Sequence, residues 1–179
     1  MPAIGRGDYG GVIWLHRFHL GERPVVGVGR LDVVRGSSLI SRCLGMLLRL
    51  PRQGAGQPLR VWIEENDGIE TWHRLIGGRH LDSRQRRDGD LLVESTGLAE
   101  LRMQMQVTDD TITIGPVSGA LRVGRLRSPL PDALAPHTAA TATATADGFE
   151  VAVRIWIPWV GLLIAYRGYV YEEGSSSDG

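Results

Sequence analysis

Glu70, Trp72 and Arg74 alternate with Thr71 and His73, a spacing that puts an acid, an indole and a guanidinium on one face of an extended strand. In water they would be an ordinary strand surface. In an interior they could do chemistry. A desolvated carboxylate serves as general acid or base, its pKa raised by burial unless a cation offsets the shift. A guanidinium or a phenol polarises a carbonyl, and an indole stacks on an apolar substrate. Tyr166 supplies the phenol, and Glu94 is a second carboxylate able to partner a buried cation. The candidate catalytic residues are therefore Glu70, Arg74 and Tyr166, with Trp72 and Glu94 beside them. Buried ions survive only when paired and hydrogen-bonded, so a purely structural polar network is an equal alternative to a ligand site.

Register decides which way these groups face. When a loop of even length joins two strands, directly opposed residues share a face. For residues 59–76, turning at Asp67 and Gly68, Leu59 then opposes Ile76, Val61 opposes Arg74, Ile63 opposes Trp72 and Glu65 opposes Glu70. Asp-Gly favours a two-residue hairpin loop. An odd loop would instead turn Ile69, Thr71, His73 and Leu75 inward and leave Glu70 and Arg74 in water. The hairpin 149–171, turning at Pro158 and Trp159, sets Ile157 against Val160, Ile155 against Leu162, Val153 against Ile164 and Val151 against Tyr166. Its outer face pairs Glu150 with Arg167. The expected substrate-binding wall is Val61, Ile63, Met103, Met105, Val151, Val153 and Ile164, completed by Trp72 and Glu94.

The elements that must position these residues are mostly strands. Leu101, Met103, Met105 and Val107 alternate with polar residues, Asp109 and Asp110 make a turn, and Ile112 and Ile114 resume on the same face. One helix is well marked. Ser37 and Ser38 are cap candidates and Pro51 blocks its continuation. Ile40, Cys43, Leu44 and Leu47 share a face, flanked by Leu39, Met46 and Leu50, while Ser41, Arg42, Gly45 and Arg49 form a narrow polar stripe. So wide an apolar face predicts a helix covered by the sheet, with Cys43 in the core. A second, shorter helix over 12–20 carries a weaker signal. The Ala/Thr alternation over 137–147 reads as a strand or a flexible connection, and residues 1–11 as loose. The expected fold is mainly β (α+β): a single antiparallel β-barrel, or strongly curved half-barrel, over 1–174. It wraps around one amphipathic helix in a calycin-like or helix-grip-like manner, and a flexible tail follows over 175–179.

Composition removes several functions. All 20 basic residues are arginine, so lysine Schiff-base chemistry and P-loop phosphate binding are excluded. The net charge of zero argues against nucleic acid or an anionic membrane as partner. A single cysteine forms no intrachain disulfide or thiolate cluster, and the N-terminus lacks a secretory pattern, so a cytoplasmic location is expected. The longest apolar stretch, residues 155–165, contains Pro158 and is too short to span a bilayer. A homodimer is left open.

Other constellations are weak. His16 and His19 lack a third metal ligand and read as surface residues, and no metal is expected. Gly27-Val28-Gly29 lacks the third glycine of a dinucleotide fingerprint. Arg84, Arg86 and Arg87 beside Asp88-Gly89 read as a solvated hairpin tip. No serine lies in a nucleophile-elbow context.

The stretch Gly68-Ile69-Glu70-Thr71-Trp72-His73-Arg74-Leu75-Ile76-Gly77 resembles a Gly-x-Glu-Arg-Trp-x-Arg-x-Phe-Gly pattern of the domain-of-unknown-function family DUF4166. Further similar segments follow in the family's order: Val34-Arg35-Gly36, Leu50-Pro51, Glu94 to Gly97, Leu130-Pro131 through Pro136, and Asp147-Gly148-Phe149 continuing through Pro158 and Gly161 to Tyr166-Arg167-Gly168. The chain departs from the pattern at Thr71 and Ile76, which removes no functional group. The resemblance implies a role near small-molecule metabolism, since this family accompanies oxidoreductase domains, and it implies no mechanism. Together the residues predict a barrel acting on a largely apolar metabolite without a cofactor, as an isomerase or cyclase of a biosynthetic pathway. The alternative is a non-catalytic carrier or sensor of a lipid-like ligand.

Overall fold

The computed structural model describes residues 10–20, 25–124 and 126–174. The tail expected over 175–179 and most of the loose segment expected at the N-terminus lie outside these residues. In chain order the elements are α1 (Gly10–Leu20), β1 (Val25–Arg35), α2 (Leu39–Leu47), β2 (Gly54–Asn66), β3 (Ile69–Ile76), β4 (Arg79–Asp88), β5 (Leu91–Thr96), β6 (Ala99–Val107), β7 (Thr111–Val123), β8 (Leu126–Pro129), β9 (His137–Ala144), β10 (Gly148–Ile157) and β11 (Gly161–Glu172).

Every strand pairing is antiparallel, in the order β6-β5-β4-β3-β2-β1-β11-β10-β9-β7, and β6 pairs with β7 to close a ten-stranded barrel. The short strand β8 is appended to β7 outside the ring. Closure leaves no exposed edge in the ring. Ten strands enclose a lumen wider than side chains of one barrel wall can fill, in the range where barrels hold small ligands.

The hairpin that carries Glu70 follows the even-loop register. Leu59 pairs with Ile76, Val61 with Arg74, Ile63 with Trp72 and Glu65 with Glu70. Asp67 and Gly68 both take positive φ, at 52° and 74°, the combination a two-residue hairpin turn requires and Asp-Gly tolerates. The β6–β7 hairpin likewise pairs Met105 with Ile114 and Val107 with Ile112. In the β10–β11 hairpin the register differs by two residues. Val153 pairs with Tyr166 and Ile155 with Ile164, because the loop holds three residues and a bulge near Trp156 restores the alternation. The inward face survives, but Glu150 lies opposite Tyr169 rather than Arg167. The Ala/Thr segment is strand β9, bonded to both β7 and β10.

The helices exchange the roles expected of them. α1 places Trp14, Leu15 and Phe18 in the core. The Phe18 ring meets Trp14, Trp72 and Phe149 at centroid distances of 5.3, 5.8 and 5.1 Å. Thus α1, not α2, is the helix the barrel wraps, and Gly10 and Gly11 belong to it rather than to a loose segment. It stoppers the end where β1 begins. Gly27, which opens onto that end, is needed small: a Cβ there would lie 3.0 Å from Phe18 and 2.8 Å from Val170. Gly27 and Gly29 thus serve close packing.

α2 sits at the opposite end and turns only the small residues of its polar stripe, Ser41 and Gly45, inward, while Arg42 and Arg49 stay exposed. Ser41 and Gly45 are buried, whereas Leu39, Ile40, Met46 and Leu47 are exposed, and so is Cys43. This overturns the expectation of a covered apolar face with Cys43 in the core, of which only Leu44 and Leu50 keep core contact. The cause is what lies beneath. Ser41 donates to the carbonyl of Leu162, Ser38 caps the helix and donates to the carbonyl of Val160, and Gly45 leaves room for the Arg35 guanidinium. Arg35 in turn donates to the carbonyls of Leu50 and Pro51. The carbonyls of Val160 and Leu162, at the turn into β11, satisfy the Ser38 and Ser41 hydroxyls and so hold this side of α2 inward. No helix among the described residues is long and apolar enough to cross a membrane.

Candidate functional site

Because register is fixed on β3, three strands build one polar wall inside a mostly apolar lumen. β3 contributes Glu70, Trp72 and Arg74. β4 places Gln85 opposite Glu70 and Ser83 opposite Trp72, and β5 places Glu94 opposite Gln85. Trp72 Nε1 donates to Glu70 Oε2 at 2.9 Å. Arg74 Nη1 donates to Ser83 Oγ at 2.9 Å, and its Nη2 lies 3.7 Å from Glu94 Oε1. Gln85 Nε2 donates to the same Glu94 oxygen at 3.2 Å. The guanidinium also stands over the Trp72 ring, 5.0 Å from its centroid. Arg74 is thereby held by a hydroxyl, a carboxylate and a π-face.

Tyr166 approaches from β11, three strands round the ring from β3, between Val33 of β1 and Val153 of β10. Burial pushes its hydroxyl well above the ordinary tyrosine range; the charge of Arg74 pulls it back in part and that of Glu94 raises it further. It is thus a neutral O–H donor near neutral pH, close enough to Arg74 and Glu94 to feel both charges.

The cavity between these groups measures about 1030 Å³, at the upper end of ordinary small-molecule sites. Of the residues expected there, Glu70, Trp72, Arg74, Glu94, Tyr166, Val61, Met103, Met105, Val151, Val153 and Ile164 border it. Ile63 does not. It is fully buried and packs in the core instead.

Sequence reasoning missed Ser83, Gln85 and His19. The first two follow from the β3 register carried one strand further, a step that needs the tight Gly77-Gly78 turn. His19 was read as a surface residue, yet it borders the cavity, with its ring 5.8 Å from Trp72 and 5.1 Å from Phe149. Its signal was the helical spacing from Leu15 in α1. His16 points elsewhere, to the carbonyl of Asp109 at 3.1 Å. Among the described residues no three of His, Cys, Asp and Glu gather as a metal site would need.

Among solved structures, the chain is similar to a protein of unknown function from the DUF3598 family of Nostoc punctiforme, with a TM-score of 0.52 at 10% identity. The match covers 84% of this chain and 50% of that one, so the chain spans about half that protein's length. At this identity the likeness concerns the fold alone. No curated protein matches the chain. The family model described as "Domain of unknown function (DUF4166)" matches residues 12–170, nearly the whole barrel, and the chain belongs to that family.

Proposed function

We propose that the barrel binds a largely apolar small molecule bearing a carbonyl and isomerises or cyclises it by proton transfer, without a cofactor. The observation that carries this reading is the one-sided polar wall in a large apolar lumen. Apolar surface on the remaining strands would hold the hydrocarbon part, and the polar wall would fix its orientation.

Glu94 is committed to Arg74 and Gln85 and acts as counter-ion. Glu70, aimed by the indole N–H of Trp72, is the base. It takes a proton from the carbon next to the carbonyl, the C–H electron pair moves into the enolate, and the charge gathers on oxygen. Tyr166 donates its O–H to that oxygen and the charge of Arg74 stabilises it. Where the substrate carries a β,γ double bond, the enolate is a dienolate, and return of the proton from Glu70 to its γ carbon moves that double bond into conjugation with the carbonyl, with no net oxidation. Holding one reactive conformer against the wall would supply further rate.

Native mass spectrometry of the purified protein is expected to reveal a retained apolar molecule. Incubated with wild-type protein in D₂O, that molecule is expected to gain deuterium or change its double-bond position. Glu70→Gln should slow this by roughly 10²–10⁴-fold while binding persists. A molecule bound but unchanged by wild-type protein would make the barrel a carrier. If no molecule is retained and none of a panel of apolar ketones binds, the reading is wrong.

A further inference from the structure

The two ends of the barrel differ in a way that zero net charge conceals. At the α1 end, each of the four hairpin turns carries aspartate: Asp67, Asp88 with Asp90, Asp109 with Asp110, and Asp147. Strand β11 also finishes there, at Glu172; Arg17 pairs with Glu172, and Arg86 and Arg102 with Asp88, so the remaining turn aspartates give this end its negative excess. At the α2 end the connections hold arginine. Arg42, Arg49 and Arg52 lie in the β1–β2 connection, which contains no acid, and Arg79 follows the β3–β4 turn. Arg122 and Arg127 are there too, paired with the buried Glu100. Asp132 is the single further carboxylate in these connections.

The same basic end is where apolar side chains reach the solvent. Among the described residues sixteen large hydrophobic side chains are exposed, and nine of them lie on α2, in the connections at this end or at Leu126, the first residue of β8. Leu47 and Trp159 are 78% and 80% exposed. They sit on α2 and on the tip of the β10–β11 hairpin, two separate elements, with Leu98 and Leu126 on two more. Contiguous apolar patches ringed by polar groups mark interaction surfaces. Arginine with exposed leucine and tryptophan at one end of a barrel is the chemistry of a surface that lies in a lipid interface. Leu47, Leu48, Leu98 and Leu134 are both exposed and part of the cavity lining, so the lumen opens through this patch.

We propose that the α2 end docks on an anionic lipid bilayer, with Leu47 and Trp159 in the interface and Arg42, Arg49 and Arg52 among the headgroups. The acidic α1 end then faces away from the membrane, and the charge of the two ends alone orients the barrel. The inference rests on the mouth and not on the reaction proposed inside. Bilayer docking there goes against the partner reading that net charge alone suggests, because local charge near the surface governs attraction to anionic lipid.

Co-sedimentation with equimolar phosphatidylglycerol–phosphatidylcholine vesicles tests it. Wild-type protein should bind these more tightly than pure phosphatidylcholine, and more weakly as salt rises. Leu47→Glu with Trp159→Glu should weaken binding at least about tenfold with an unchanged melting curve, since both residues are largely outside the core. Arg42→Glu with Arg52→Glu should remove the preference for the anionic lipid. Absence of vesicle binding by wild-type protein overturns the proposal, as does equal binding by the Leu47/Trp159 variant. A dimer in solution that these substitutions dissociate, without any vesicle binding, overturns it in favour of a second copy on the same face.

Discussion

Arg74→Met is expected to destabilise the protein by about 3 kcal/mol, the cost of breaking a buried ion pair by removing one partner. Arg74 and Glu94 are only 15% and 14% exposed, and the substitution leaves the Glu94 carboxylate with Gln85 as its donor. It also removes the cation above Trp72 and leaves Ser83 Oγ without the bond it accepts. Glu94→Gln added to Arg74→Met should return most of the loss, to within about 1 kcal/mol of wild type, because a neutral amide needs no counter-ion. Denaturant unfolding of the two single variants and the double variant measures this coupling. Strictly additive losses would mean that the two groups do not stabilise each other, and that the polar wall is a set of independent side chains.

Phe18→Ala is expected to cost about 4 kcal/mol, within the range for deleting a buried phenylalanine ring. Phe18 is 2% exposed and joins α1 to β3 through Trp72, to β10 through Phe149 and to β1 beside Gly27. For a chain of this length that corresponds to a fall in melting temperature of roughly 10 °C. Calorimetry checks it. A loss below about 1 kcal/mol would mean that α1 does not stopper the barrel and that its aromatic contacts carry no load. Because His19 belongs to the same turn, the variant should also loosen the cavity floor around Trp72.

The sequence made the β3 site legible for a reason of geometry. Asp67-Gly68 dictates one loop length, a loop length dictates parity, and parity determines the face on which Glu70, Trp72 and Arg74 stand. At Pro158 the inward face is the one that parity predicts but the pairs differ, since a longer loop and a bulge cancel and neither is visible in the residues alone. The apolar face of α2 was legible as a pattern but not as a direction. A hydrophobic stripe says that a helix has two sides; it does not say that strand-end carbonyls and Arg35 will claim the polar one. α1 was underread because His16, Arg17 and His19 interrupt its apolar positions, although Trp14, Leu15 and Phe18 alone suffice to anchor it. Family membership, carried by motifs spread over the whole barrel, agrees with this fold and adds no reaction to it.

The account depends most on an accessible apolar lumen. A titration with N-phenyl-1-naphthylamine, a neutral dye that fluoresces in apolar surroundings, examines that lumen directly. Val153 borders the cavity beside Tyr166, so Val153→Trp fills the lumen, whereas Thr143→Trp adds the same ring to an exposed position on β9. Wild-type protein and Thr143→Trp should bind the dye alike, and Val153→Trp should lose at least about tenfold in affinity while melting cooperatively. Equal dye binding by all three proteins would place the dye on the surface and contradict the claim.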